Sequence, residues 1–216
     1  MLELIFVIIV LGILAALAIP RLKRDTQQEA VTNVLSAIRY ARYMAMNDNV
    51  IQPTNNNWQR AFWRIGFEKC SDNGMFYYIA SDKDLQGDID AQEVVNDPAN
   101  GKPMMGDNSQ PCATQIQSGR SPNIFITRHY GISDPNGITF AADCGVAVGK
   151  YIGFDHLGRP HRGYAGNAGS TTPDYSTLLT QDCHIIIHFD DNSIQDTNIT
   201  IEKTTGHAYW TEHPEA

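Results

Sequence analysis

Hydrophobic and polar positions divide this chain into an apolar run, an amphipathic helix and a long series of short strands. From Leu4 to Ile19 no charged residue occurs, and a helix that is apolar all round must be buried on every side. At ~1.5 Å per residue the run makes a helix of about 24 Å, against a hydrocarbon core of about 30 Å. It is a short span, which bilayer thinning would accommodate. Pro20 lacks an amide hydrogen and clashes with the preceding turn, which predicts a bend or local melting near residues 15–20, loosened further by Gly12. Beyond it, Ala30, Val31, Val34, Leu35, Ile38, Ala41 and Ala45 recur at spacings of three and four. They predict one apolar face of a helix running to about Met46. Lys23, Gln27, Arg39 and Arg42 mark the opposite face.

The rest of the chain reads mainly as strands. Residues 61–67, 75–79, 124–127, 138–140, 151–154, 184–189 and 199–202 are β-branched or aromatic segments separated by Gly, Pro, Asn and Asp. Segments 96–122 and 156–182 are rich in Gly, Pro, Ser and Asn and read as irregular loops. The predicted fold is α+β: a long N-terminal helix, transmembrane and then amphipathic, packed on an antiparallel β-sheet head. Its divisions are residues 1–20 as a transmembrane helix segment, 21–48 as an amphipathic helix continuing into the head, and 49–216 as a β-rich head.

One carboxylate, Glu3, stands at the start of the apolar run. In hydrocarbon it costs roughly 2.5 to 3.5 kcal/mol on insertion scales, so it calls for a partner cation. The run Met1, Leu2, Glu3, Leu4 and the apolar stretch closed by Pro20 and Arg21 resemble the N-terminal segment of type IV pilins and pseudopilins. Mature chains of that family begin Phe-Thr-Leu-Ile-Glu-Leu or Phe-Thr-Met-Leu-Glu-Leu. The family's basic leader ending in Gly, and its N-methylated first residue two places upstream of Met1, are not in this sequence, and Met1 is read as internal. A secretory signal peptide would need a basic n-region and a small-residue cleavage site, and neither is seen. Arg21, Lys23 and Arg24 after the span would ordinarily mark the cytoplasmic side; the cysteines argue for the opposite orientation.

Charge and cysteines refine this picture. The first 48 residues hold five basic and four acidic side chains, which leaves eleven against twenty in residues 49–216. An acidic head argues against nucleic-acid binding, which depends on clustered Lys and Arg. Cys70, Cys112, Cys144 and Cys183 lie far apart without a Cys-x-x-Cys pair, which argues against zinc and for two disulfides in an oxidising compartment. Three pairings are open. Cys144–Cys183 is favoured because both flank predicted strands of one sheet, and Cys70–Cys112 follows by subtraction.

The last third is also similar to the minor-pseudopilin branch of the family. Phe154 and Gly158 match its Phe-x-x-x-Gly, strands follow around Ile185 and Ile199, and Thr205-Gly206 matches its closing Thr-Gly. The resemblance covers about the first fifty and last seventy residues. It implies a single-pass inner-membrane protein with a periplasmic head, or its place in an envelope filament. Its partners would be other pilin or pseudopilin subunits and an inner-membrane assembly platform, with Glu3 pairing the N-terminal amine of a neighbouring subunit.

Within the unmatched middle, Asp82, Asp84 and Gln86 occupy the first, third and fifth places of the twelve-residue EF-hand loop. Gly87 is sixth, Asp88 seventh, Ile89 eighth, Asp90 ninth and Glu93 twelfth. This register predicts calcium, with Asp88 acting through its backbone carbonyl and Asp90 through water. A strand before the loop and an Asp97-Pro98 turn after it predict an isolated loop without flanking helices. His184 and His188 share one side of a strand but are too far apart for joint ligation. Asp196-Thr197-Asn198-Ile199-Thr200 contains the Asn-x-Thr glycosylation acceptor with Asn198. No nucleophile elbow, phosphate-binding loop, dinucleotide fingerprint or His-Glu-x-x-His occurs, and no enzyme is expected. The expected function is a structural minor pseudopilin of a type II secretion or DNA-uptake machine. A major type IV pilin for adhesion or motility, or a DNA-binding minor pilin, is the alternative.

Overall fold

The computed structural model describes residues 2–48, 50–52, 54–55, 57–132, 136–145, 151–163 and 174–211, with side chains of the first helix described over 5–12 and from 25 onwards. Helix α1 spans Leu2–Asn47 and is continuous through Pro20, so the local melting expected there is not found. One missing amide bond interrupts the ladder without ending a helix that has Ala, Leu, Arg and Lys on both sides. From Asp25 on, Ala30, Val31, Val34, Ala37, Ile38, Ala41 and Ala45 are buried. Leu35, expected on this face, packs only at its edge.

Among the described residues eight strands, all paired antiparallel, form two sheets of four. In the first the order is β2 (Met75–Ala80), β1 (Trp63–Lys69), β4 (Tyr151–Phe154), β5 (Pro160–His161). In the second it is β3 (Ile138–Phe140), β6 (Cys183–Ile187), β7 (Thr197–Ile201), β8 (Ala208–Trp210). The β1–β2 hairpin runs from Arg64↔Ala80 to Lys69↔Met75, and β4 lies on the other side of β1 with Trp63 opposite Phe154. In β6 and β7 alternate residues are buried, Cys183, Ile185 and Ile187 facing inward with Thr197, Ile199 and Ile201, the period-two pattern of a half-covered sheet. β2 is buried at every position. One apolar core joins α1 to both sheets.

This architecture corrects the expected fold. The single sheet beneath a long transmembrane-then-amphipathic helix is replaced by two four-stranded sheets, and the part of the helix that packs on them is about 23 residues long and not apolar. Among the described residues no helix is long and apolar enough to cross a membrane. The assignment to the inner membrane as a single-pass protein is therefore withdrawn. The physical reason is in the second half of α1, where Glu29, Arg39 and Arg42 alternate with the buried face and hold its hydropathy down. Residues 124–127, expected as a strand, form the end of a 3₁₀ turn, Pro122–Ile124, and the start of helix α2, Ile126–Tyr130. A four-residue apolar run has no period that separates strand from helix. Here Pro122 opens the turn and Gly131, at φ 60°, terminates the helix.

Two disulfides join Cys70 to Cys112 and Cys144 to Cys183, the second being the pair favoured from strand placement and the first the one left by subtraction. They point to an oxidising, extracellular or periplasmic setting. The first ties the end of β1 to the irregular segment 96–122, and the second ties the 3₁₀ turn Ala142–Cys144 to the start of β6. Part of the second expected loop, residues 164–173, lies outside the described residues.

Candidate metal centre

The loop with the EF-hand register leaves β2 and returns beside it. Ala80 bridges Val94, the Ser81 amide donates to the Glu93 carbonyl at 3.1 Å, and the Val95 amide donates to Ile79. Residues 82–93 are thus closed at the base by strand-like pairing, with no helix on either side. Gly87 holds φ at +101°, a left-handed conformation natural for glycine at the sharp turn. Leu85 is also left-handed, at φ 64°, and its carbonyl accepts from Arg60 Nη1 at 3.0 Å.

Three of the six expected ligand residues converge. One carboxylate oxygen each of Asp82, Asp84 and Glu93 lie within 4.8 Å of one another. Asp82 is fully buried and Glu93 nearly so, whereas Asp84 is exposed at the mouth. Glu93 is fixed by backbone amides, with Oε1 accepting from Lys83 and Asp84 and Oε2 from Asp90 at 2.9 Å. Asp84 Oδ1 accepts from the Gln86 amide at 3.0 Å. Gln86, Asp88 and Asp90 are exposed, and the carboxylates of Asp88 and Asp90 are not part of the convergent group.

Asp82 carries the strongest indication of a ligand. Its Oδ2 accepts from the Gly87 amide at 2.8 Å, while Oδ1 is buried with no hydrogen-bond partner. A buried carboxylate oxygen without a partner is costly, and a cation among these three groups removes the deficit. Burial pushes the Asp82 carboxyl above the ordinary aspartate value and Glu93 and Asp84 add to this, while Arg64 and the Gly87 amide oppose it. Hard oxygen donors at these places are of the kind calcium takes; Asp82, Asp84 and Glu93 could hold a metal ion, and the buried orphan oxygen of Asp82 is compatible with one.

Sequence reasoning missed the cations around the loop. Arg64 Nη2 lies 3.8 Å from Asp82 Oδ2, and the guanidinium sits over the Tyr151 ring at 4.9 Å. The available signal was a charged residue inside the otherwise apolar run 61–67, since a buried Arg requires a partner.

The remaining candidates separate. The Glu3 side chain lies outside the described residues. Among the described residues His184 and His188 share no metal-ligand cluster. His184 Nδ1 pairs with Asp143 Oδ2 at 2.5 Å, and His188 lies between Asp196 Oδ2 at 2.6 Å and Thr139 Oγ1 at 3.0 Å. Asn198 is half-buried in β7 opposite Ile186, a paired strand position rather than the surface loop a glycan acceptor favours. The grouping of Cys70, Asp72 and Cys112 offers no thiolates, because its sulfurs form a disulfide. Asp72 instead accepts amides from Gly74, Cys112 and Ala113. No family model, curated protein or solved structure matches the chain.

Proposed function

We propose that this protein is a structural, non-enzymatic subunit of the pilin-like kind, a minor pseudopilin that joins a filament through the first part of α1 and carries calcium in loop 82–93. One observation carries this reading. Seven consecutive apolar residues, Ile5 to Leu11, are between 37% and 66% exposed on a helix whose later turns are buried in the domain. Exposed apolar surface of this extent marks an interaction site, and each such side chain gains roughly 1.5 to 3 kcal/mol when fully covered. The apolar helices of neighbouring subunits are the covering proposed. Glu3 then meets a neighbour's terminal amine, so that its charge is buried only with a partner.

A photo-reactive p-benzoylphenylalanine at position 8, activated in cells of the source organism, tests the reading. A covalent adduct with the N-terminal helix of another subunit supports it; adducts with lipid alone, or none with any protein, overturn it. The calcium component is tested by calorimetry on the full chain. Heat and a rise in melting temperature are expected by about 10 mM calcium, the range of weak extracellular sites, and both disappear in an Asp82→Ala/Glu93→Ala double variant.

A further inference from the structure

We infer that Arg64 is a built-in counter-cation that sets the strength of calcium binding by loop 82–93; this rests on the calcium reading above. The Arg64 side chain is 5% exposed and the Asp82 side chain fully buried, with Nη2 and Oδ2 3.8 Å apart. The guanidinium is held from three directions. Its stem leaves β1 where Arg64 pairs with Ala80 on one side and Gly153 on the other. Nη2 donates to the Arg60 carbonyl at 2.8 Å, and the plane rests on Tyr151. A side chain so placed does not swing out when a cation arrives. Its positive charge stays beside the most buried ligand in both states of the loop.

Two consequences follow from one charge. Without calcium, Arg64 is the only cation within ion-pairing distance of Asp82 among the described residues, and it balances a carboxylate whose Oδ1 has no partner. The loop keeps its shape, because the Gly87 amide on Asp82 and the three amides on Glu93 are already in place. With calcium, the same guanidinium repels the ion across a poorly screened gap. Calcium therefore binds a preformed loop weakly and stabilises it without switching it. Arg60, bonded to the Leu85 carbonyl, adds a second, more distant charge of the same sign.

Neutral replacement separates these effects. Calcium chloride is titrated calorimetrically into the full chain, its Arg64→Met and Arg64→Lys variants, and the Asp82→Ala/Glu93→Ala control, with melting temperature read in calcium and in chelator. Arg64→Met is expected to bind calcium at least roughly tenfold more tightly, to melt earlier than the parent in chelator, and to show a larger calcium-induced shift. Arg64→Lys, which keeps the charge, is expected to bind within about twofold of the parent. Arg64→Gln supplies the same measurement if the Met variant does not fold. Equal or weaker calcium binding by the folded neutral variant overturns the role of Arg64 and leaves the calcium site standing. Absence of calcium binding by the parent and all variants overturns both.

Discussion

Gly206 shows how much can rest on one missing side chain. Its φ is +68°, and a Cβ there would lie 2.1 Å from the Gly158 carbonyl oxygen and 3.1 Å from the Phe154 ring. Gly158 is equally confined, since a Cβ on it would meet Arg42 Nε at 2.9 Å and Met46 Sδ at 3.0 Å. The Phe-x-x-x-Gly and Thr-Gly pieces of sequence are thus two halves of one contact. Gly206→Ala should cost about 2 kcal/mol or more in urea unfolding, against about 1 kcal/mol for Gly101→Ala, because Gly101 has a similar φ of +71° but open space around it. Between Phe154 and Gly158 sits Asp155, whose Oδ1 accepts amides from Leu157 and Arg159 and whose Oδ2 meets Arg159 Nε at 2.7 Å and His161 Nε2 at 3.5 Å. Burial alone would raise this carboxyl, but the adjacent His161 ring nitrogen and the hydrogen bonds from Arg159 outweigh it and hold the pKa down to about 2. A depressed folded value contributes stability above the unfolded value near 3.9, roughly 2 kcal/mol, and loses it as pH falls through about 2. Unfolding midpoints measured from pH 6 to pH 2 should fall steeply below about pH 4 in the parent and less steeply in Asp155→Asn.

At the scale of elements, α1 is held by its polar face as well as its apolar one. Arg39 donates through Nε and Nη2 to the Ala208 carbonyl at 3.0 and 2.9 Å, and Arg42 donates through Nε to Thr205 at 2.8 Å and Gly158 at 3.3 Å. These two arginines were legible only as the outer face of an amphipathic helix, because the carbonyls they reach are more than a hundred residues away. Arg39→Met should cost about 1 to 2 kcal/mol, as charged hydrogen bonds at a half-exposed site do. Hydrogen exchange should then quicken at 205–210 before the rest of the domain. The disulfides act on different elements. Each closes a loop of about 40 residues, worth about 4 kcal/mol in the chain-entropy account. The Cys70→Ser/Cys112→Ser variant should loosen residues 105–118, which Asp72, Asp107 and Gln117 organise mostly through backbone bonds. The Cys144→Ser/Cys183→Ser variant should loosen the β3–β6 edge instead. Exchange protection in the two variants distinguishes these outcomes.

For the whole molecule, burial and exposure are divided along α1. Its turns from Ala30 to Ala45 belong to the core shared by both sheets, while Ile5 to Leu11 touch none of it. A chain beginning at residue 25 should therefore keep the melting temperature of the full chain within a few degrees and sediment as a monomer, whereas the full chain self-associates unless detergent covers the apolar run. A large loss of stability in the shortened chain would mean that the first turns also support the fold. Calcium at about one hundred times its dissociation constant should stabilise either chain by about 2.7 kcal/mol through mass action.

What the sequence determined by itself is local. Spacings of three and four place the buried face at 30–45, short β-branched runs mark strands β1, β2, β3, β4, β6 and β7, and the twelve-residue register gathers Asp82, Asp84 and Glu93 into one loop. Each depends on residues within a turn or two of one another, where side-chain periodicity and backbone geometry act directly. What the tertiary structure decided is partnership. Two sheets replaced the one expected, because strand-forming residues do not encode which distant strand they pair with. Loop-closure entropy changes too slowly with length to choose between near and far partners. The same reason left three disulfide pairings open until Cys144 and Cys183 met across the β3–β6 edge, and kept the Gly158–Gly206 contact invisible across a separation of 48 positions. It also hid Arg64 from the loop it faces: only the β1–β2 pairing sets Arg64 opposite Ala80, two residues before Asp82, and a charge acts through space rather than along the chain.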